Sequence, residues 1–277
     1  MSSEVLHEAV PQSWVRNRFR VVGSYFFSGI RSAGGFGILA SQIFREMFRP
    51  PLYASLILEQ ILHLGIRSLV LVLVVGLATG SVMALQFGYG LAKFGGTLYV
   101  PKIVSLSILR EMGPVFTSLL LAGRIGSGIA AEVASMKVTQ QIDAIRALGT
   151  SPIKRIVIPR FVATALALPL LTVVANYIGI VGGMLVSTHE LGINPEFFYA
   201  KTVDTVTVWD LLTGLIKSFV FGCFIAIAAC WKGLNTEGGT QGIGNTTTWV
   251  VVSSSIFVLV ADFFLSKLFM ITGLYRT

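Results

Sequence analysis

Between Arg67 and Lys93 the chain runs for 25 residues without a charged side chain, and residues 161–188 do so for 28. About 20 apolar residues in a helix cross the hydrocarbon core of a bilayer. Lipid offers the backbone no hydrogen bonds, so such runs must satisfy their own amides and carbonyls as helices. Three further runs fit the same reading. Residues 98–123 are interrupted by Lys102 and by the pair Arg110-Glu111. Residues 209–231 carry Asp210 and Lys217 towards their start, and residues 248–270 carry Asp262 and Lys267 towards their end. The expectation is an all-α integral membrane protein with five transmembrane helices. Charged residues make up 12% of the 277, half of what a soluble domain carries, so lipid is the solvent for most of the chain.

Residues 21–48 are apolar but broken by Arg31 and by Gly34-Gly35. A sixth span would hold Arg31 in the bilayer interior, which is costly, so an N-terminal interfacial helix in the headgroup plane is favoured. The chain therefore divides into an N-terminal cytoplasmic or interfacial amphipathic segment, 1–50, and a membrane domain, 51–277. The first 20 residues lack the apolar core of a cleaved signal, so the internal spans must do the targeting.

Lys and Arg in short loops set orientation. Arg16, Arg18, Arg20, Arg31, Arg45 and Arg49 precede span one. Arg124, Lys137, Arg146, Lys154, Arg155 and Arg160 lie between spans two and three. Both regions read as cytoplasmic. The loop 189–208 holds Glu190, Glu196 and Asp204 against Lys201 and reads as external. Five spans then leave the N-terminus inside and the C-terminus outside. The net charge of +8 sits beside apolar runs, which favours anionic headgroups over nucleic acid as its partner.

No catalytic constellation stands out. His7, His63 and His189 are isolated, and no metal-ligand or cofactor-binding spacing is present. Cys223 and Cys230 are seven residues apart on one helix, about 10 Å, too far for a disulfide. Gly123, Gly126 and Gly128 suggest a phosphate loop, but no Gly-Lys-Ser/Thr follows and a span rather than a strand precedes them. They fit a bend or a close approach at the exit of span two.

Arg110-Glu111 is the sharpest feature inside a span. Intramembrane charge is expensive and marks functional candidates. Helix neighbours point about 100° apart, so each needs its own partner. Pro114 cannot donate to the Arg110 carbonyl, so span two is expected to be kinked and polar there. The pair fits either a structural bridge to another helix or a polar spot meeting an amphipathic substrate. Residues 132–148 are predicted to form a short amphipathic helix with Val138, Ile142 and Ile145 on one face, Asp143 and Arg146 in contact range, and Gly149 as its stop. It fits a solvated cap or a docking element equally. Gly76 with Gly80, and Gly179 with Gly183, allow close helix packing within the chain or between copies.

The runs LREMGPV at 109–115, AGRIGSG at 122–128, AEVASMKVTQQIDAIRALG at 131–149 and IPR at 158–160 resemble the MlaE family of permeases, with LALPLLTV at 166–173 also fitting. The likeness extends over most of 45–270. These are membrane subunits of ATP-binding-cassette lipid transporters that work with MCE-domain proteins. The resemblance implies a homodimer in a bacterial inner membrane with no bond-making chemistry of its own. The 132–148 helix would be the cytoplasmic coupling helix, with Glu132, Lys137, Gln141, Asp143 and Arg146 facing an ABC-type ATPase. A periplasmic MCE-domain protein would sit on the other face, and a small STAS-domain protein is a further candidate partner. The substrate would be a phospholipid or related lipid moved between inner and outer membranes. Its pocket would lie at the dimer interface, with Ala84, Leu91, Phe94, Arg110 and Glu111 at lining positions. The alternative is a secondary transporter or channel that uses the intramembrane Arg-Glu site.

Overall fold

The computed structural model describes residues 34–49 and 53–275. Arg16, Arg18, Arg20, Arg31 and most of the predicted interfacial segment lie outside the described residues. Among the described residues, five helices are long and apolar enough to cross a membrane: Ala54–Ala92, Thr97–Val138, Ile153–Leu191, Val208–Leu234 and Gly239–Ile271. They are spans one to five in chain order. Spans one and two have 39 and 42 residues, or about 60 Å each at 1.5 Å per residue. That is twice the hydrocarbon thickness, so both project from the bilayer.

Span three is the hub. Its most apolar stretch is 72% buried, against 28% for span one and 17% for span five, so those two present the outer faces. The two glycine pairs meet each other. A Cβ on Gly80 would fall on the Gly179 carbonyl, and one on Gly76 would lie 2.7 Å from Ile178 and 3.0 Å from the Ala175 carbonyl oxygen. The close packing read from these glycines is therefore an intrachain contact of spans one and three.

Residues 34–47 form a helix across the basic end of the bundle. It buries Leu39 and Ile43 and sets Phe36 5.3 Å from Phe224 and Phe44 6.0 Å from Phe161, ring centre to ring centre. At the other end, the helix Pro195–Thr205 starts on the Asn194 side chain, which accepts from the Glu196 amide. Its Phe198 is fully buried in a second core with Val100, Val104 and Ile193.

Two boundaries differ from the sequence reading. Span two does not end at 123 but continues to Val138, and the predicted helix 132–148 is two pieces. Its first part is the end of span two, and a separate loop helix follows at Gln141–Ala147. The corner falls at Gln140, whose φ is +60°, a left-handed value that no glycine or asparagine signals here. The corner turns Ile142 into full burial against the core, and apolar burial outweighs the backbone cost. Gly149, with φ +73°, ends the loop helix as expected.

Candidate functional site

Span two is not a regular α-helix where its charges lie. Residues Ile108–Met112 form a π-helical turn, followed directly by Gly113 and Pro114. Pro114 has no N–H to give the Arg110 carbonyl. That carbonyl instead accepts from the Lys217 ammonium of span four at 3.0 Å. The freed acceptor is thus satisfied from another span.

Lys217 is fully buried and is the centre of a network joining three spans. Its Nζ lies 2.6 Å from Glu111 Oε2, 2.9 Å from Asp262 Oδ1 and 2.7 Å from Ser266 Oγ. Ser266 also donates to Glu111 Oε1 at 3.0 Å. Arg110 takes a different partner, its Nε lying 2.6 Å from Asp210 Oδ1. Asp210 Oδ2 accepts from the Thr207 amide and hydroxyl, each at 2.8 Å, closing a reciprocal cap at the start of span four. The Arg110 guanidinium lies 4.6 Å from the Tyr275 ring centre. Tyr275 lies beyond span five, and burial pushes its phenol above the ordinary value. Arg110 and Glu111 therefore have separate partners, as their helical geometry required. Both partnerships are interhelical bridges.

The sequence reading missed the convergence. It noted Asp210, Lys217 and Asp262 only as charges near span ends and singled out Arg110-Glu111 as the sharpest feature inside a span. The structure brings Asp262 to the same ammonium as Glu111. The available signal was spacing. Asp210 and Lys217 stand two turns apart on one face of span four, and an unpaired charge in lipid must find a partner.

The other predicted lining residues do not gather around this pair. Ala84 is buried and Leu91 partly buried against the second core. Phe94 is 85% exposed beyond the end of span one. A separate crevice of about 10 Å³ runs between spans one, two and three. Its walls include Val75, Gly76, Thr79, Met112, Phe116 and Ala175. Beside it Asn176, 2% exposed, has neither amide atom hydrogen-bonded among the described residues.

Of the predicted coupling residues, Lys137, Asp143 and Arg146 meet at the corner, and Glu132 pairs elsewhere. Asp143 lies 3.2 Å from Lys137 Nζ and 3.5 Å from Arg146 Nη1. Glu132 lies 2.9 Å from Arg160 Nη2, tying the end of span two to the start of span three. Gln141, Asp143 and Arg146 are exposed, and Leu148 is 80% exposed at the tip.

Comparison with known proteins gives this arrangement a family. The family model described as Permease MlaE matches residues 57–268. The chain belongs to the MlaE permease family. A probable ABC transporter permease protein of Rickettsia felis is 38% identical to this MlaE-family chain over 248 residues, covering 90% of the chain and 96% of the relative. The intermembrane phospholipid transport system permease protein MlaE of Haemophilus influenzae is 34% identical over 244 residues, covering 88% and 92%. The chloroplastic protein TRIGALACTOSYLDIACYLGLYCEROL 1 of Arabidopsis thaliana is 34% identical over 232 residues, covering 84% of this permease and 66% of its own length. The resemblance read from the 109–160 motifs is thereby shown across most of the chain.

Proposed function

We propose that this permease is the membrane subunit of an ATP-driven phospholipid transporter in a bacterial inner membrane. It binds lipid and changes shape, and a separate ABC-type ATPase on the cytoplasmic face supplies the energy. The N-terminus is cytoplasmic and the C-terminus periplasmic, where an MCE-domain protein continues the lipid path between the membranes. The observation that carries the reading is the exposed corner at Gln141–Ala147. Its polar side chains and Leu148 face outwards, while Ile142 and the Glu132–Arg160 bridge fasten it to the bundle. Force applied to such a corner reaches spans two and three. The chain carries no phosphate loop, so ATP belongs to the partner. The Haemophilus relative's name supports phospholipid as the substrate class.

The lipid path follows the seam of spans one and two. The crevice beside Gly76 and Met112 is too narrow for an acyl chain in one copy. The largely unburied spans one and five leave room for a second copy to complete the wall. Leu91 and Phe94 then stand at the outer mouth, with Ala84 behind them. Arg110 and Glu111 retain 21% and 33% side-chain exposure, enough to meet a headgroup.

The Glu111–Lys217–Asp262 chain of contacts favours one second reading, an ion-driven transporter. Against it, the ammonium between the two acids is fully buried and bonded on every side. A relay from Glu111 to Asp262 would have to pass through this ammonium, which has no free position to take up a proton.

The test is co-purification with the cognate ATPase. Asp143→Lys and Glu132→Lys are expected to lose the ATPase, or its lipid-stimulated hydrolysis, while the permease stays in the membrane. Intact retention and stimulation in both would contradict the reading.

A further inference from the structure

A second cavity lies away from the network and the crevice. Spans one and two part at their basic ends around a cleft of about 500 Å³. Span one presents Glu59, His63 and Arg67 to it in four-residue steps, and span two presents Arg124, Gly128 and Glu132 in the same steps. Residues four apart share a helix face, so two matched faces line the cleft.

Its charges are unevenly engaged. Glu132 is held by Arg160. Arg67 and Arg124 are exposed, and their side chains have no hydrogen bond or ion pair among the described residues. Both stand where an apolar run meets a polar one. Arg67 immediately precedes the uncharged residues 68–92, and Arg124 immediately follows the uncharged residues 112–123. Two guanidinium groups are therefore placed at headgroup depth, facing one cavity. Arg124 also lies within a second π-helical turn, Ala122–Gly126, a distortion that often marks functional positions. The cleft is open at Gly128, where a Cβ would meet nothing within 4 Å.

We propose that this cleft is a phosphate site that holds a phospholipid headgroup between Arg67 and Arg124, on the membrane face that carries the loop helix. Planar guanidinium groups bind phosphate oxygens in pairs. The two arginines and two glutamates of the lining balance, but Glu132 is already engaged by Arg160 from outside the cleft, so the arginines are opposed by Glu59 alone. A lipid held there has its tails along the seam of spans one and two, in line with the crevice. The site marks where a lipid of that leaflet joins the transport path. The headgroup assignment rests on the lipid-transport reading, whereas the phosphate site itself does not.

The experiment places a benzophenone amino acid at Gln60, which lines the cleft, in the full chain reconstituted into phosphatidylglycerol vesicles. Phosphorus-32 phosphatidylglycerol is the probe. Labelling is expected to fall by at least about tenfold in R67Q/R124Q, since each arginine supplies at least one charge-assisted hydrogen bond. R67K/R124K should keep only part of it, since lysine supplies the charge without the paired donors, and G128W should abolish it by filling the cleft while leaving both arginines in place. In a second arm, equilibrium binding of phosphorus-32 inorganic phosphate separates the sources. Arginine-dependent phosphate binding without lipid labelling keeps the site and makes its ligand a soluble phosphate. Labelling and phosphate binding that are equal in all four proteins, or absent from the wild type, overturn the proposal. Arginine-independent labelling with an intact ATPase pull-down removes only this site. A failed pull-down with arginine-dependent labelling removes only the ATP-driven reading.

Discussion

Lys217 of span four lies 2.6 Å from Glu111 of span two and 2.9 Å from Asp262 of span five. One ammonium thus bridges two carboxylates from two other helices inside the bundle. Removing one partner of a buried charge set costs more than never having the set, because the remaining charges stay buried without compensation. Lys217→Met is expected to destabilise the protein by about 3–5 kcal/mol. Adding Glu111→Gln and Asp262→Asn should recover most of that loss. Thermal denaturation in detergent, followed by size-exclusion fluorescence, reads both. An unchanged midpoint in Lys217→Met would show that the network does not hold the three spans together.

How this set escaped the sequence reading is physical. The spans were legible because lipid leaves helices as the only continuous solution for long uncharged runs. The demand for separate partners was legible from helical geometry at Arg110-Glu111. The partners themselves were not, because Lys217 lies 106 residues from Glu111 and helix depth and rotation are set by packing. The corner at Gln140 was hidden for a related reason. Its left-handed backbone is imposed by burying Ile142 and has no local signal.

The seam of spans one and three depends on absent side chains. Gly80→Val places atoms on the Gly179 carbonyl, and overpacking of this kind costs about 1–3 kcal/mol or more. Gly90→Val meets nothing within 4 Å and should be neutral. The same denaturation measurement distinguishes them. Equal midpoints would mean that the two spans do not pack through these glycines.

Ile142 fastens the corner from beneath. Ile142→Ala removes a fully buried side chain, a change that costs about 2–5 kcal/mol in a packed core. The loss should be local to the corner. Hydrogen exchange over residues 139–150 is expected to accelerate and ATPase retention to fall, with the spans still protected. Retention at the wild-type level despite faster exchange would show that corner rigidity is not needed for docking.

Lipid should follow the seam of spans one and two. A photocrosslinker at Phe116, on the crevice, or at Leu91 on the proposed path is expected to label phospholipid more strongly than one at Val70, which is 69% exposed and outside the crevice lining. Equal labelling at all three positions would contradict a lipid path there.

The central claim is that a separate ATPase drives lipid movement through the exposed corner. Its most direct test is the movement of a fluorescent phospholipid in proteoliposomes holding the permease with its ATPase and MCE-domain partner. Movement is predicted to require ATP and to stop in Arg146→Glu, a variant altered only at an exposed corner side chain. Movement without ATP, or driven by a proton gradient alone and unaffected by Arg146→Glu, would contradict the account.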